Sequence, residues 1–140
     1  ALGRALYARS GGTTRATGAR SREGHRMGRA YDAWGRIKTA WIDHDSDLLW
    51  EQYAPNGVYL ETLNPPHEGR DLIRSYVDDF TSARPNITME DVRVIDGGDA
   101  VCVEWLFSYD QPNRRVTNLR RCSILTVNAE GQVLYHRDYT

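Results

Sequence analysis

Apolar and polar positions follow a readable period from Ala30 onward, and none before it. Tyr31, Trp34, Ile37, Lys38 and Trp41 recur at three- and four-residue intervals, one stripe of an amphipathic helix. Asp43-His44-Asp45-Ser46-Asp47 supplies N-cap candidates for a second, short helix through Leu48–Tyr53. Ala54-Pro55-Asn56-Gly57 has the composition of a turn, and Val58–Thr62 reads as a strand. Its alternation sets Tyr59 and Glu61 on one face and Val58, Leu60 and Thr62 on the other. Beyond Pro65-Pro66, a third helix runs from Asp71 to about Ser82, with Leu72, Ile73, Tyr76, Val77 and Phe80 along one side. Turn chemistry then separates four strands, at 87–95, 100–109, 115–128 and 132–139. The order ααβαββββ predicts an α+β fold, three helices on one face of a strongly curved, mostly antiparallel sheet.

At 140 residues the chain has room for one domain with its own core. The formal charge of −1 hides an asymmetry, because residues 1–29 hold seven arginines and a single acid, Glu23. That leaves eleven of the eighteen basic and eighteen of the nineteen acidic residues to 30–140, a net of about −7. Such a surface repels nucleic acid. Residues 1–28 are rich in Arg, Gly, Ser and Thr and too poor in apolar anchors to offset chain entropy. They are set apart as a disordered or artefactual extension, with a targeting segment or a functional arm as alternatives. Residues 29–140 form the folded domain.

Cys102 and Cys122 are too few for a disulfide framework and lack zinc-site spacing. A reducing, cytoplasmic location is the simpler expectation. No apolar run reaches the roughly 18 residues of a membrane helix, so no membrane partner is expected. His25, His44, His67 and His136 are scattered without an i,i+4 pair, and Gly97-Gly98 sits in a hairpin rather than a phosphate loop. Neither a metal nor another cofactor is expected.

Several strings resemble the SnoaL-like domains of the nuclear-transport-factor-2-like superfamily: Tyr53–Tyr59, Glu68-Gly69-Arg70-Asp71-Leu72-Ile73, Val103-Glu104-Trp105 and Val133–Tyr139. The resemblance covers about 30–140 and implies a cone-shaped fold around an apolar pocket. One stretch is closer to limonene-1,2-epoxide hydrolase, in which a strand ending Tyr-x-Asn precedes a proline-rich loop and Gly-Arg. Tyr59–Arg70 matches it in length, with Tyr59 on the water-holding tyrosine and Glu61 in place of the asparagine. Asp138 falls on the hydrolase's general-base aspartate, and His136 replaces a tryptophan two residues before it. The hydrolase's Arg and Asp, two residues apart on a middle strand, correspond here to Trp105 and Phe107. A charged donor for epoxide opening would have to stand beside Trp105, with Arg120 and Arg121 as the candidates.

If Asp138 faces the pocket, strand alternation brings His136 and Leu134 inward with it, and Val103, Trp105 and Phe107 on the neighbouring strand. The parity of 115–128 stays open: Arg120, Cys122 and Ile124 point inward, or Arg121, Ser123 and Leu125 do. Asp138, Glu61, Tyr59 and His136 are the candidate catalytic residues. Trp105, Phe107, Val103, Trp41 and Leu134 are the candidate substrate wall. Two carboxylates in an apolar chamber have raised pKa values, so one stays protonated as a donor while the other acts as base. This suits a cofactor-independent isomerase or cyclase for a small hydrophobic ketone or polyketide-like substrate. The alternatives are an epoxide hydrolase with an altered donor and a non-catalytic binding or assembly module. A homodimer through the outer sheet face is the expected assembly.

Overall fold

Helix α1, Arg29–Asp43, buries Ala30, Ala33, Trp34, Ile37, Ala40 and Trp41 along one stripe, in a computed structural model that describes residues 27–140. The Arg-rich extension therefore lies outside the described residues except for Met27 and Gly28. Gly28 belongs to the fold: its N–H donates to Asp96 and its carbonyl accepts from Asp32. Asp91 pins the other side of α1, accepting from Tyr31 Oη and Trp34 Nε1 and pairing with Lys38 at 2.8 Å. His44, at φ 53°, ends the helix in the left-handed region, and Asp45 N bonds back to Ala40 O. Asp45 then caps α2, Ser46–Gln52, accepting from Leu48 N at 3.1 Å.

Strand β1, Tyr53–Leu60, begins five residues before the predicted start. The expected turn at Ala54–Gly57 is a bulge inside it, because Tyr53 pairs with Val133 and Val58 with Tyr135, leaving four residues opposite one. Gly57 is required there, since a Cβ would lie 2.7 Å from Val133 O. The two-residue strand β2, His67–Glu68, pairs with β1 and was not predicted, being too short to carry a period. Gly69, at φ 91°, turns the chain into α3, Arg70–Ala83, which buries Ile73, Val77 and Thr81.

The remaining strands are β3 (Thr88–Asp96), β4 (Ala100–Gln111), β5 (Arg114–Val127) and β6 (Val133–Tyr139). They complete a six-stranded open sheet of order β2-β1-β6-β5-β4-β3, antiparallel except for β1 with β6. Three more register shifts bend it, at Val92, at Ser108 opposite Thr117-Asn118, and at Leu134. Asn118 takes φ 54° in its bulge, and its N–H donates to Ser108 Oγ.

The Leu134 bulge overturns one expectation. Thr126 pairs with Tyr135 and Val127 with Val133, so Leu134 is the extra residue; Val133 points inward and Leu134 is 40 % exposed. Leu134 is not part of the inner wall. Val103, Trp105 and Phe107 do face inward, and Trp41 meets them from α1, with Trp34–Trp105 centroids at 5.3 Å and Trp41–Phe107 at 5.9 Å. On the strands, Val92, Ile95, Leu134, Tyr135 and Tyr139 are exposed apolar residues. No described helix is long and apolar enough to cross a membrane.

Candidate functional site

The inner end of the sheet carries a buried polar cluster centred on Asp138, which is 3 % exposed. Tyr59 donates to Oδ2 at 2.6 Å and Ser123 donates to Oδ1 at 2.5 Å. His136 Nε2 lies 2.8 Å from the same Oδ1, and Tyr53 Oη lies 2.7 Å from His136 Nδ1. Trp105 Nε1 donates to Ser123 Oγ at 2.8 Å. With the imidazole proton on Nε2, Tyr53 donates to Nδ1 and every hydrogen of the cluster has an acceptor. A buried polar network of this kind is stable only when so completed.

Four strands and a bulge assemble it. Tyr53 precedes the Ala54–Gly57 bulge and Tyr59 follows one residue beyond its far end, and β1 aims both hydroxyls at β6. Ser123 is the register partner of Asp138, and Arg121 that of Trp105. The parity left open in the sequence is thereby settled: Arg121, Ser123 and Leu125 point inward. Arg120 turns out and pairs with Glu104 at 3.0 Å.

Arg121 is the charged group beside Trp105. Its guanidinium lies 5.8 Å over the Trp105 ring and 5.9 Å over Phe107, and Nη2 is 3.8 Å from Asp138 Oδ2. Burial alone would raise the Asp138 pKa, which was the expectation. His136, Arg121 and the Ser123 hydroxyl outweigh it and hold the carboxyl down at about 2. Asp138 is thus ionised. Burial, reinforced by the Asp138 charge, pushes the Tyr53 and Tyr59 hydroxyls far up, so both stay donors.

Each carboxylate oxygen accepts about two hydrogen bonds. Oδ1 is filled by Ser123 and His136. Oδ2 receives Tyr59 alone among the described residues, with Arg121 Nη2 beyond hydrogen-bond reach at 3.8 Å. Arg121 also lines a depression of about 470 Å³ shared with Glu61, Tyr76, Asp79, Phe80 and Arg84.

Glu61 follows the last residue of β1 and stands at this mouth, separate from the Asp138 cluster. Its Oε2 is 3.4 Å from His67 Nε2, whose ring stacks 4.3 Å from Tyr76. Burial first, then a hydrogen bond to Glu61 and that carboxylate's charge, raise the Tyr76 pKa. Of the expected wall, Trp41, Val103, Trp105 and Phe107 are packed into the core beneath the mouth rather than lining it. Tyr53, His67, Tyr76 and Ser123 complete the site and were not among the candidate catalytic or wall residues, and Arg121 was one of the two donor candidates. Tyr53 and His67 needed the bulge and the short β2 to come into view, while Arg121 and Ser123 needed one fixed parity.

The SnoaL-like domain model matches residues 28–136. The chain belongs to that family. No curated protein matches it. Solved structures place the SnoaL-like domain in the nuclear-transport-factor-2-like, ketosteroid isomerase-like fold. One is a protein of that fold from Catenulispora acidiphila in complex with trimethylamine, 16 % identical, with TM-score 0.70 over 78 % of this chain and 85 % of that one. A second is an LEH-like epoxide hydrolase from M. tuberculosis, 19 % identical, TM-score 0.69, covering 79 % and 81 %. A candidate SnoaL-like polyketide cyclase from Jannaschia sp. CCS1 is 17 % identical, TM-score 0.70, covering 79 % and 84 %. At these identities the likeness is one of fold.

Proposed function

We propose that this SnoaL-like domain is a cofactor-independent acid/base enzyme of the isomerase or cyclase type, acting on a small hydrophobic ketone or polyketide-like substrate. The observation that carries the reading is the ionised Asp138, whose Oδ2 accepts from Tyr59 alone among the described residues, next to the Arg121 cation. Asp138 Oδ2 takes a proton from the carbon beside the carbonyl. The C–H electron pair forms the new C=C bond, and charge developing on the carbonyl oxygen is met by Arg121. Tyr59, Ser123 and His136 keep the base oriented without solvent reorganisation. A positioned base of this kind contributes roughly 10²–10⁴ in rate.

A second reading is epoxide hydrolysis, favoured by one observation. The hydrolase-like stretch has Trp105 and Phe107 where a charged donor is needed, and Arg121 is the register partner of Trp105. Asp138 would then activate water while Arg121 meets the opening oxirane oxygen.

The deciding experiment offers 2-tetralone in D₂O and limonene oxide to wild type and Asp138→Asn. We expect α-deuterium exchange into the ketone, lost by at least about 100-fold in the variant, and no diol. Diol without exchange selects the hydrolase. Neither product with the wild type sinks both catalytic readings and leaves a binding module.

A further inference from the structure

Three buried side-chain atoms lack a hydrogen-bond partner among the described residues: Glu61 Oε2, His67 Nε2 and Arg121 Nε. All three belong to the mouth. Glu61 and Arg121 line the same depression, and His67 Nε2 is 3.4 Å from Glu61 Oε2. Leaving buried groups without a hydrogen bond disfavours the fold, so a fold that otherwise completes its buried polar groups keeps this set open against its own stability. The His67 ring is held in place, stacked on Tyr76 at 4.3 Å with Tyr59 at 5.7 Å, while its Nε2 stays free. Strand pairing fixes the arrangement, because His67 is the register partner of Tyr59 and Glu61 lies two residues beyond it.

We propose that Glu61 and His67 form a proton-exchanging seat for the substrate's oxygen, with Arg121 Nε–H as a further donor in the same depression. Two atoms 3.4 Å apart can both reach one ligand oxygen at an ordinary hydrogen-bond length of about 2.8 Å. In this seat the pair supplies one proton. As Asp138 takes the carbon-bound proton, the C–H pair becomes the C=C bond, the C=O π pair becomes an O–H bond, and its hydrogen comes from the Glu61–His67 pair. The substrate loses one C–H and gains one O–H, Asp138 gains a proton, and the pair loses one. Return of the enol proton to the pair, with Asp138 delivering its proton to carbon, restores both. The substrate class narrows to carbonyl compounds that react through a neutral enol instead of a bare enolate. This chemistry rests on the enolising reading; the seat itself does not.

The test uses 2-naphthol, a planar phenol that resembles an enol, with the full chain labelled with ¹⁵N in its histidine rings. Binding should move the His67 ring signals and leave those of His136 in place. Glu61→Gln and His67→Gln should each weaken 2-naphthol about tenfold, the scale of one hydrogen bond to a charged group. In 2-tetralone exchange both variants should lower kcat more than they raise KM. A wild type that fails to bind 2-naphthol overturns the seat, as does binding that leaves His67 unmoved and undiminished in His67→Gln. A responsive seat without ketone exchange sinks the enolising reading alone. Wild-type exchange rates in both variants sink the seat alone.

Discussion

Two histidine–carboxylate pairs flank Tyr59, one on each neighbouring strand side, and they differ in almost everything but residue type. His136–Asp138 is closed: 2.8 Å apart, with side chains 2 % and 4 % exposed, and every hydrogen accounted for. His67–Glu61 is open: 3.4 Å apart, 18 % and 12 % exposed, with neither facing atom in a hydrogen bond among the described residues. The cause is position in the sheet. Strand β6 has β1 on one side to supply Tyr53 and Tyr59, and β5 on the other to supply Ser123 and Arg121. Strand β2 is a two-residue edge with one neighbour, and Tyr76 of α3 stacks on the imidazole ring without meeting its Nε2. An interior strand can complete a buried charge; an edge leaves it for a ligand to complete.

Asp138→Asn breaks the closed pair most severely. The amide has nearly the same shape, but its NH₂ must face Tyr59, or the Ser123 and His136 donors, all aimed at an acceptor. We expect a loss of about 3 kcal/mol, in the range for disrupting a buried pair. The acid limb of stability should change as well. The carboxyl pKa falls from 3.8 to about 2 in the folded protein. Its stabilisation is therefore present above about pH 4 and drains away as pH falls toward about 2. That amounts to roughly 2 kcal/mol for a shift of this size. Urea titrations between pH 2 and 6 should show this slope in wild type and lack it in Asp138→Asn. Equal slopes in the two proteins would mean that Asp138 is not the held carboxylate.

Tyr53→Phe tests the same pair from its far end, with a smaller effect. Without the hydroxyl, His136 Nδ1 is left as a buried acceptor, or the ring changes tautomer and withdraws its proton from Asp138. About 1–2 kcal/mol should be lost, and ¹⁵N signals of the His136 ring should report the tautomer change. A fully stable variant with unaltered ring signals would show that Tyr53 does not hold the imidazole.

The contrast between the pairs also explains what the sequence disclosed. The three helices and the four long strands were legible because each buries a periodic stripe, as Ala33, Trp34, Ile37 and Trp41 do in α1. The inward facing of Asp138 came from the resemblance to the hydrolase's base, and alternation carried it to His136. Leu134 did not follow, because a single unpaired residue reverses alternation and leaves no compositional mark. Arg121 was ambiguous for a related reason: Ile124 and Leu125 are equally apolar, so hydrophobicity could not choose the parity of β5. Strand β2 lies beyond any periodic reading at two residues, and with it went the pairing of His67 with Tyr59. The open pair was therefore the harder one to see. The features that make it available to a ligand, an edge position and a short element, are those that carry least pattern.

Glu61→Gln should have the smallest effect on folding. The glutamate oxygen facing His67 has no hydrogen bond to lose, and Gln keeps the shape while removing a charge that is largely out of water. Stability should stay within about 0.5 kcal/mol of wild type, or rise slightly, since a buried polar atom without a partner disfavours the folded state. Chemical denaturation at pH 7 checks this, read beside the same measurement on Asp138→Asn. A loss above about 2 kcal/mol would place Glu61 in a completed structural pair like that of Asp138 and His136. Near-neutral stability, set against the heavy loss from the interior aspartate, is what an unfilled site requires: the carboxylate that contributes least to holding the fold is the one left free to meet a ligand.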